Sequence, residues 1–153
     1  MNNEKSQLLK SGEIVAINAE EKHERMGIYK FLGFQYYWGK SRNGRWRLKY
    51  KSRADRFTAT LERLKEYLRE NLNTRESGSI LERMVLKVKG WLNYHAISDN
   101  ERRVKSFLFK TRRIIYTWYN RRGKKRSMTW EHLLEILDRV GFPKSVKVVS
   151  MFC

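Results

Sequence analysis

The sequence predicts an α+β fold that is mainly helical, with a β-hairpin at the amino end followed by a bundle of about four amphipathic helices. Residues 31 to 51 carry dense aromatic residues and period-two alternation around an Asn-Gly pair. From residue 52 onward the apolar residues recur with helical spacing. One proline and nine glycines in 153 residues leave too little punctuation for a many-stranded sandwich.

Taken in order, residues 1 to 30 are mixed. Their one apolar run, Ile14 to Ile17, reads as a strand that lacks a partner and precedes the charged stretch Glu20 to Arg25. Two β-segments follow, Phe31 to Trp38 and Arg45 to Lys51. The second alternates strictly, with Arg45, Arg47, Lys49 and Lys51 on one parity and Trp46, Leu48 and Tyr50 on the other.

The loop between these segments decides which side chains share a face. A two-residue loop at Asn43-Gly44 places Lys49 opposite Trp38 and mixes apolar with basic groups. A three-residue loop, Arg42-Asn43-Gly44, pairs Trp38 with Leu48 and Tyr36 with Tyr50, which separates an aromatic face from a basic one. The second register is the expectation, with Gly44 supplying the left-handed residue of a type I turn and G1 bulge.

The helices follow from their stripes. Phe57, Leu61, Leu64 and Leu68 form the first, with Ser52 and Asp55 at capping-box spacing. Leu81, Met84, Val88, Trp91, Leu92 and His95 form the second, started by Ser79 with Glu82. Val104, Phe107, Leu108, Ile115 and Trp118 form the third, started by Ser98 with Glu101. Trp130, Leu133, Leu134, Leu137 and Val140 form the fourth, capped by Thr129 and stopped by Gly141 and Pro143. Such stripes bury themselves only against one another, hence a bundle.

Charge narrows the function classes. Lys and Arg number 34 against 16 Asp and Glu, a formal net charge of +18, so a polyanion is the expected partner. Residues 40 to 53 hold seven basic side chains and no acid (Lys40, Arg42, Arg45, Arg47, Lys49, Lys51 and Arg53). Residues 102 to 126 hold eleven, again without an acid: Arg102, Arg103, Lys105, Lys110, Arg112, Arg113, Arg121, Arg122, Lys124, Lys125 and Arg126. On a helical wheel Arg102, Lys105, Phe109, Arg112, Arg113 and Tyr116 fall together, opposite the third apolar stripe. Cations for phosphates beside rings for bases suit unpaired nucleotides, and Phe109 and Tyr116 are the stacking candidates. Second-face packing is the competing role for those two aromatics.

Other chemistry finds little support. Cys153 is the sole cysteine, so no disulfide framework or cysteine metal cluster is expected. No apolar run reaches spanning length and no signal-peptide core opens the chain, so a soluble cytoplasmic protein with no membrane partner is the expectation. Asp55, Asp99 and Asp138 are unpaired in sequence, and His23, His95 and His132 lack metal-ligand spacing. No Gly-rich phosphate loop is present, and neither catalytic nor metal residues are assigned.

Five blocks, in order, carry a resemblance: Phe31-Leu32-Gly33-Phe34, Arg45-Trp46-Arg47-Leu48-Lys49, Lys89-Gly90-Trp91-Leu92-Asn93-Tyr94, Trp118-Tyr119-Asn120-Arg121-Arg122 and Met128-Thr129-Trp130-Glu131. The chain resembles the carboxy-terminal part of group II intron reverse transcriptase/maturases over nearly its whole length, least at residues 7 to 30 and the last ten. The resemblance implies a palm remnant with the hairpin over residues 1–51, a thumb-like helix and linker over 52–78, and the maturase-specific domain X over 79–153. It implies binding of group II intron RNA for splicing and mobility. Arg45, Arg47, Lys49, Lys51, Arg53, Lys89, Arg102, Arg103, Lys105, Arg112, Arg113, Arg121, Arg122, Lys124, Lys125 and Arg126 would face RNA. Phe31, Leu32, Gly33, Phe34, Gly90, Trp91, Asn93, Tyr94, Trp118, Asn120 and Trp130 would be motif and core positions.

The family's palm carries a Tyr-x-Asp-Asp motif that this sequence lacks, so the resemblance implies no polymerase activity for this chain alone. It implies no cofactor either, since Mg²⁺ would belong to the missing palm or to the intron RNA. Departures from the family pattern include Lys89 where Arg is common and Gly123 where Ser follows Asn-Arg-Arg. Two alternatives stand beside the maturase module: half of a split reverse transcriptase acting with a palm-bearing chain, and a generic basic nucleic-acid-binding protein.

Overall fold

The computed structural model describes Ile17, Ala19, Glu20 and residues 27–72, 77–121 and 127–150. Among the described residues three antiparallel strands, β1 (Tyr29–Phe31), β2 (Phe34–Lys40) and β3 (Trp46–Ser52), are followed by four helices. These are α1 (Ala54–Asn71), α2 (Ser77–His95), α3 (Glu101–Asn120) and α4 (Trp130–Arg139). The fold is therefore α+β and mainly α, as the periodicities predict. The chain divides into two compact units, Met1–Arg53 and Ala54–Cys153.

In the first unit the strands run in the order β1-β2-β3. The three-residue loop holds: Trp38 pairs with Leu48, Tyr36 with Tyr50, and Gly44 takes a left-handed φ of 75°. Ser41 N–H donates to Arg45 O at 2.8 Å and Gly44 N–H to Ser41 O at 3.0 Å, closing the bulged turn. One expectation needs correction. Phe31 to Trp38 is not a single strand, because Leu32 and Gly33 turn the chain with φ of 49° and 80°, so that Phe31 pairs with Phe34. Both central residues of such a turn need positive φ, which leucine adopts only at a cost of about 1 to 2 kcal/mol. The expected strand Ile14 to Ile17 lies outside the described residues except for Ile17, which is helical.

In the second unit the stripes converge on one core. Phe57, Leu61, Leu64 and Leu68 of α1 are all buried, as are Leu81, Met84, Val88, Trp91 and Leu92 of α2. Trp91 stacks between Phe107 (3.9 Å between ring centres) and His95 (4.2 Å), with Phe57 edge-on to Trp91 and Phe107. Burial lowers the pKa of His95, partly offset by the hydrogen bond between its Nδ1 and Trp91 O at 2.9 Å. Truncating Phe107, which is fully buried, should cost about 3 to 5 kcal/mol.

The helix ends match some expectations and overturn others. Thr129 caps α4, its hydroxyl accepting from His132 N–H at 3.2 Å, and Gly141 ends it with φ of 80°. α2 begins at Ser77 instead of Ser79. Asn100, not Ser98, stands at the N-cap of α3, and its side chain donates to His95 O at 2.8 Å. Ser98 N–H donates to Val149 O and Val149 N–H to Ala96 O, so the segment after α4 pairs along the α2–α3 connection. α3 also buries Thr111 and Ile114, while Leu134 of α4 is 38% exposed instead of core.

Candidate nucleic-acid interface

The first basic surface follows from strand register. Directly paired residues share a face, so Lys30, Gln35, Tyr37, Gly39, Arg47, Lys49 and Lys51 lie on one side of the sheet. Tyr29, Phe31, Phe34, Tyr36, Trp38, Trp46, Leu48, Tyr50 and Ser52 lie on the other, with Lys40 5.3 Å over the Trp46 ring. Lys51 Nζ sits 5.0 Å from the Tyr37 ring centre, a cation held against an aromatic face. A Cβ on Gly39 would come within 3.1 Å of Lys49 Cδ, so the missing side chain gives the lysine stem room to cross the strand. Arg45 is exposed just ahead of β3, and Arg53 follows β3 with its backbone N–H on Gly33 O at 3.0 Å. Lys40 bonds Glu20 and holds that carboxyl below its ordinary pKa.

The second surface belongs to the outer side of α3. Phe109 is 52% exposed, with Arg113 5.9 Å from its ring centre. Trp130, from the start of α4, lies 6.4 Å from Phe109 and 5.5 Å from Tyr116, edge-on to the latter. The stacking pair expected from sequence is thus a three-ring cluster. Tyr116 is the more enclosed member, packed against the core, and Phe109 the more accessible. Trp130 reads as a stripe residue in sequence, since no local spacing connects it to a position 14 residues earlier.

The other basic residues of α3 divide by partner. Arg102 and Lys105 are exposed, and Lys105 bonds Glu101 at 2.7 Å, which lowers the Glu101 pKa. Arg103 and Lys110 both lie over Phe57, at 5.1 and 5.4 Å, and Arg121 lies 4.6 Å over Trp118. Arg112 turns the other way. Its Nη2 donates to Pro143 O at 2.9 Å and Lys144 O at 3.3 Å, and its guanidinium lies over Phe142. Burial lowers its pKa, yet a guanidinium stays charged at any working pH. Arg112 thereby fastens the segment after α4 and lines one side of an open cleft of about 400 Å³ with Leu134, Leu137, Asp138 and Phe142. Arg122, Lys124, Lys125 and Arg126 lie outside the described residues.

The motif positions also separate. Phe31 and Leu32 are 63% and 65% exposed at the β1–β2 turn, Gly33 completes that turn, and Phe34 is buried. Trp91 is core; Lys89, Gly90, Asn93 and Tyr94 are exposed on α2. Lys89 Nζ would lie 3.9 Å from a Cβ on Gly141, beside the carboxyl end of α4. Trp118 is half-buried against the core. Asn120 donates from Nδ2 to Met128 O at 3.1 Å and accepts from Met128 N–H at 2.7 Å, tying the end of α3 to the start of α4.

Chemically, both surfaces offer fixed cations and aromatic faces. Among the described residues no group of three or more His, Cys, Asp or Glu is placed to hold a metal ion, and no helix is long and apolar enough to cross a membrane. Comparison with protein-family models, with curated proteins and with solved structures finds no match to this chain.

Proposed function

We propose that this protein is an RNA-binding module of the group II intron maturase type, holding intron RNA without performing catalysis through its own chain. The observation that carries the reading is the separation of charge in the hairpin: the register gathers Lys30, Arg47, Lys49 and Lys51 with Tyr37 on one face and most of the aromatic residues on the other, where Lys40 is bonded to Glu20. Lone cations scattered over a surface serve solubility, whereas a cationic face with an aromatic ring suits a phosphate backbone carrying accessible bases. The α3 surface, with Arg113, Phe109 and Trp130, supports the same partner.

The test is competition at matched salt. A group II intron RNA should bind more tightly than duplex DNA of equal length, and equal affinities would sink the maturase reading in favour of generic polyanion binding. The purified chain should extend no primer on an RNA template in Mg²⁺ or Mn²⁺. One observation favours the split-enzyme alternative: the exposed Phe31-Leu32 tip presents apolar surface that a palm-bearing chain would cover. Primer extension that arises only on mixing with such a chain would establish it.

A further inference from the structure

Gly90 stands inside α2, a helix of 19 residues ending at His95, although glycine is among the poorest helix formers. Among the described residues nothing requires it, because a Cβ built at Gly90 meets none of their atoms within 4 Å. The neighbours on its face, within two helical turns and about 60° of it around the helix axis, are Arg83, Leu86, Lys87, Asn93 and Tyr94. All five are exposed, Leu86 at 69% and Tyr94 at 51%. Lys87 is held in position, its Nζ 4.9 Å from the Tyr67 ring centre. The face carries no acid, Glu82 standing at its margin.

We infer that this face of α2 is a second RNA-docking surface, where an unpaired strand lies across Gly90 with a base against Tyr94 and its phosphates on Arg83 and Lys87. The inference rests on the RNA-binding reading and adds to it a site distinct from the hairpin and α3 surfaces. Close approach explains the glycine, since a strand lying against the helix backbone occupies the space a side chain would fill. Charge selects the occupant: two cations and an amide surround two apolar groups, which matches a polyanion with an exposed base better than an apolar helix. Stacking selects an unpaired strand, since a duplex shows no base face along its length.

The test uses the whole chain and a labelled single-stranded RNA of about 20 nucleotides, with the same sequence as a duplex for comparison. Gly90→Leu puts a good helix former at an open position, so the melting temperature should not fall. Affinity for the single strand should nevertheless drop about tenfold. Tyr94→Ala should lose about as much on the single strand and little on the duplex, and Tyr94→Phe should restore binding. Wild-type affinity in Gly90→Leu overturns the α2 site. If Arg113→Gln meanwhile weakens binding, the α3 surface and the general reading survive, whereas a wild-type chain that binds no RNA overturns both. Altered self-association with unchanged RNA affinity in Gly90→Leu would assign the face to a protein contact and likewise refute the inference.

Discussion

Replacing Arg47, Lys49 and Lys51 together by glutamine removes three of the four cations that strand register places on one face of the hairpin. Each phosphate neutralised on a single strand contributes about 0.7 to the slope of log K against log salt, so three lost contacts should flatten that slope by about 2. Between about 50 and about 200 mM salt, the wild-type advantage should then shrink about twentyfold. A control variant with the same charge change on α1 comprises Arg56→Gln, Lys65→Gln and Arg69→Gln. Lys65 and Arg69 there already bond Glu62 and Glu66. Fluorescence anisotropy with intron RNA at four salt concentrations reads the slopes, and thermal melting checks that the folds are intact. Equal flattening in both variants would refute the reasoning, because it would show that net charge alone, and not the arrangement of the hairpin face, sets the affinity.

Three further outcomes probe the helical unit. Asn120→Ala removes both bonds to the Met128 backbone and should cost about 1 to 3 kcal/mol in denaturant unfolding, with an unchanged midpoint counting against the tie between α3 and α4. Arg112→Met should lower stability by a similar amount, about 1 to 3 kcal/mol, while leaving the salt slope for RNA unaltered; a flattened slope would show that Arg112 contacts phosphate despite its bonds to Pro143 and Lys144. His95 has its pKa lowered by burial, so the unfolded chain takes up the proton first as pH falls. Its contribution is full above the unfolded value near 6.5, declines as pH drops through it toward the lower folded value, and then levels off. Urea midpoints between about pH 5 and 8 should show this decline in the wild type and lose that part of it in His95→Phe.

Short-range physics determined much of this protein from sequence alone. The Phe57-Leu61-Leu64-Leu68 stripe, the Thr129 cap and the Gly141 stop depend on neighbours within a turn or two, and each stands in the structure as expected. The hairpin register follows from parity plus the left-handed residue that Gly44 supplies. Tertiary structure decided what local pattern does not encode. Leu32 adopts positive φ because β1 and β2 pair around it, against its own preference. Arg112 and Arg113 are adjacent and chemically alike, yet one turns to carbonyls more than 30 residues away and the other lies over Phe109. Trp130 joins Phe109 and Tyr116 only because α4 returns beside α3. Leu134 is left exposed although it shares a stripe with buried Leu133 and Leu137, since amphipathic spacing shows that a residue is apolar but not whether another element reaches it. A basic or aromatic residue becomes part of a binding face when packing has claimed its neighbours and left it outward, a matter settled between elements distant in the chain.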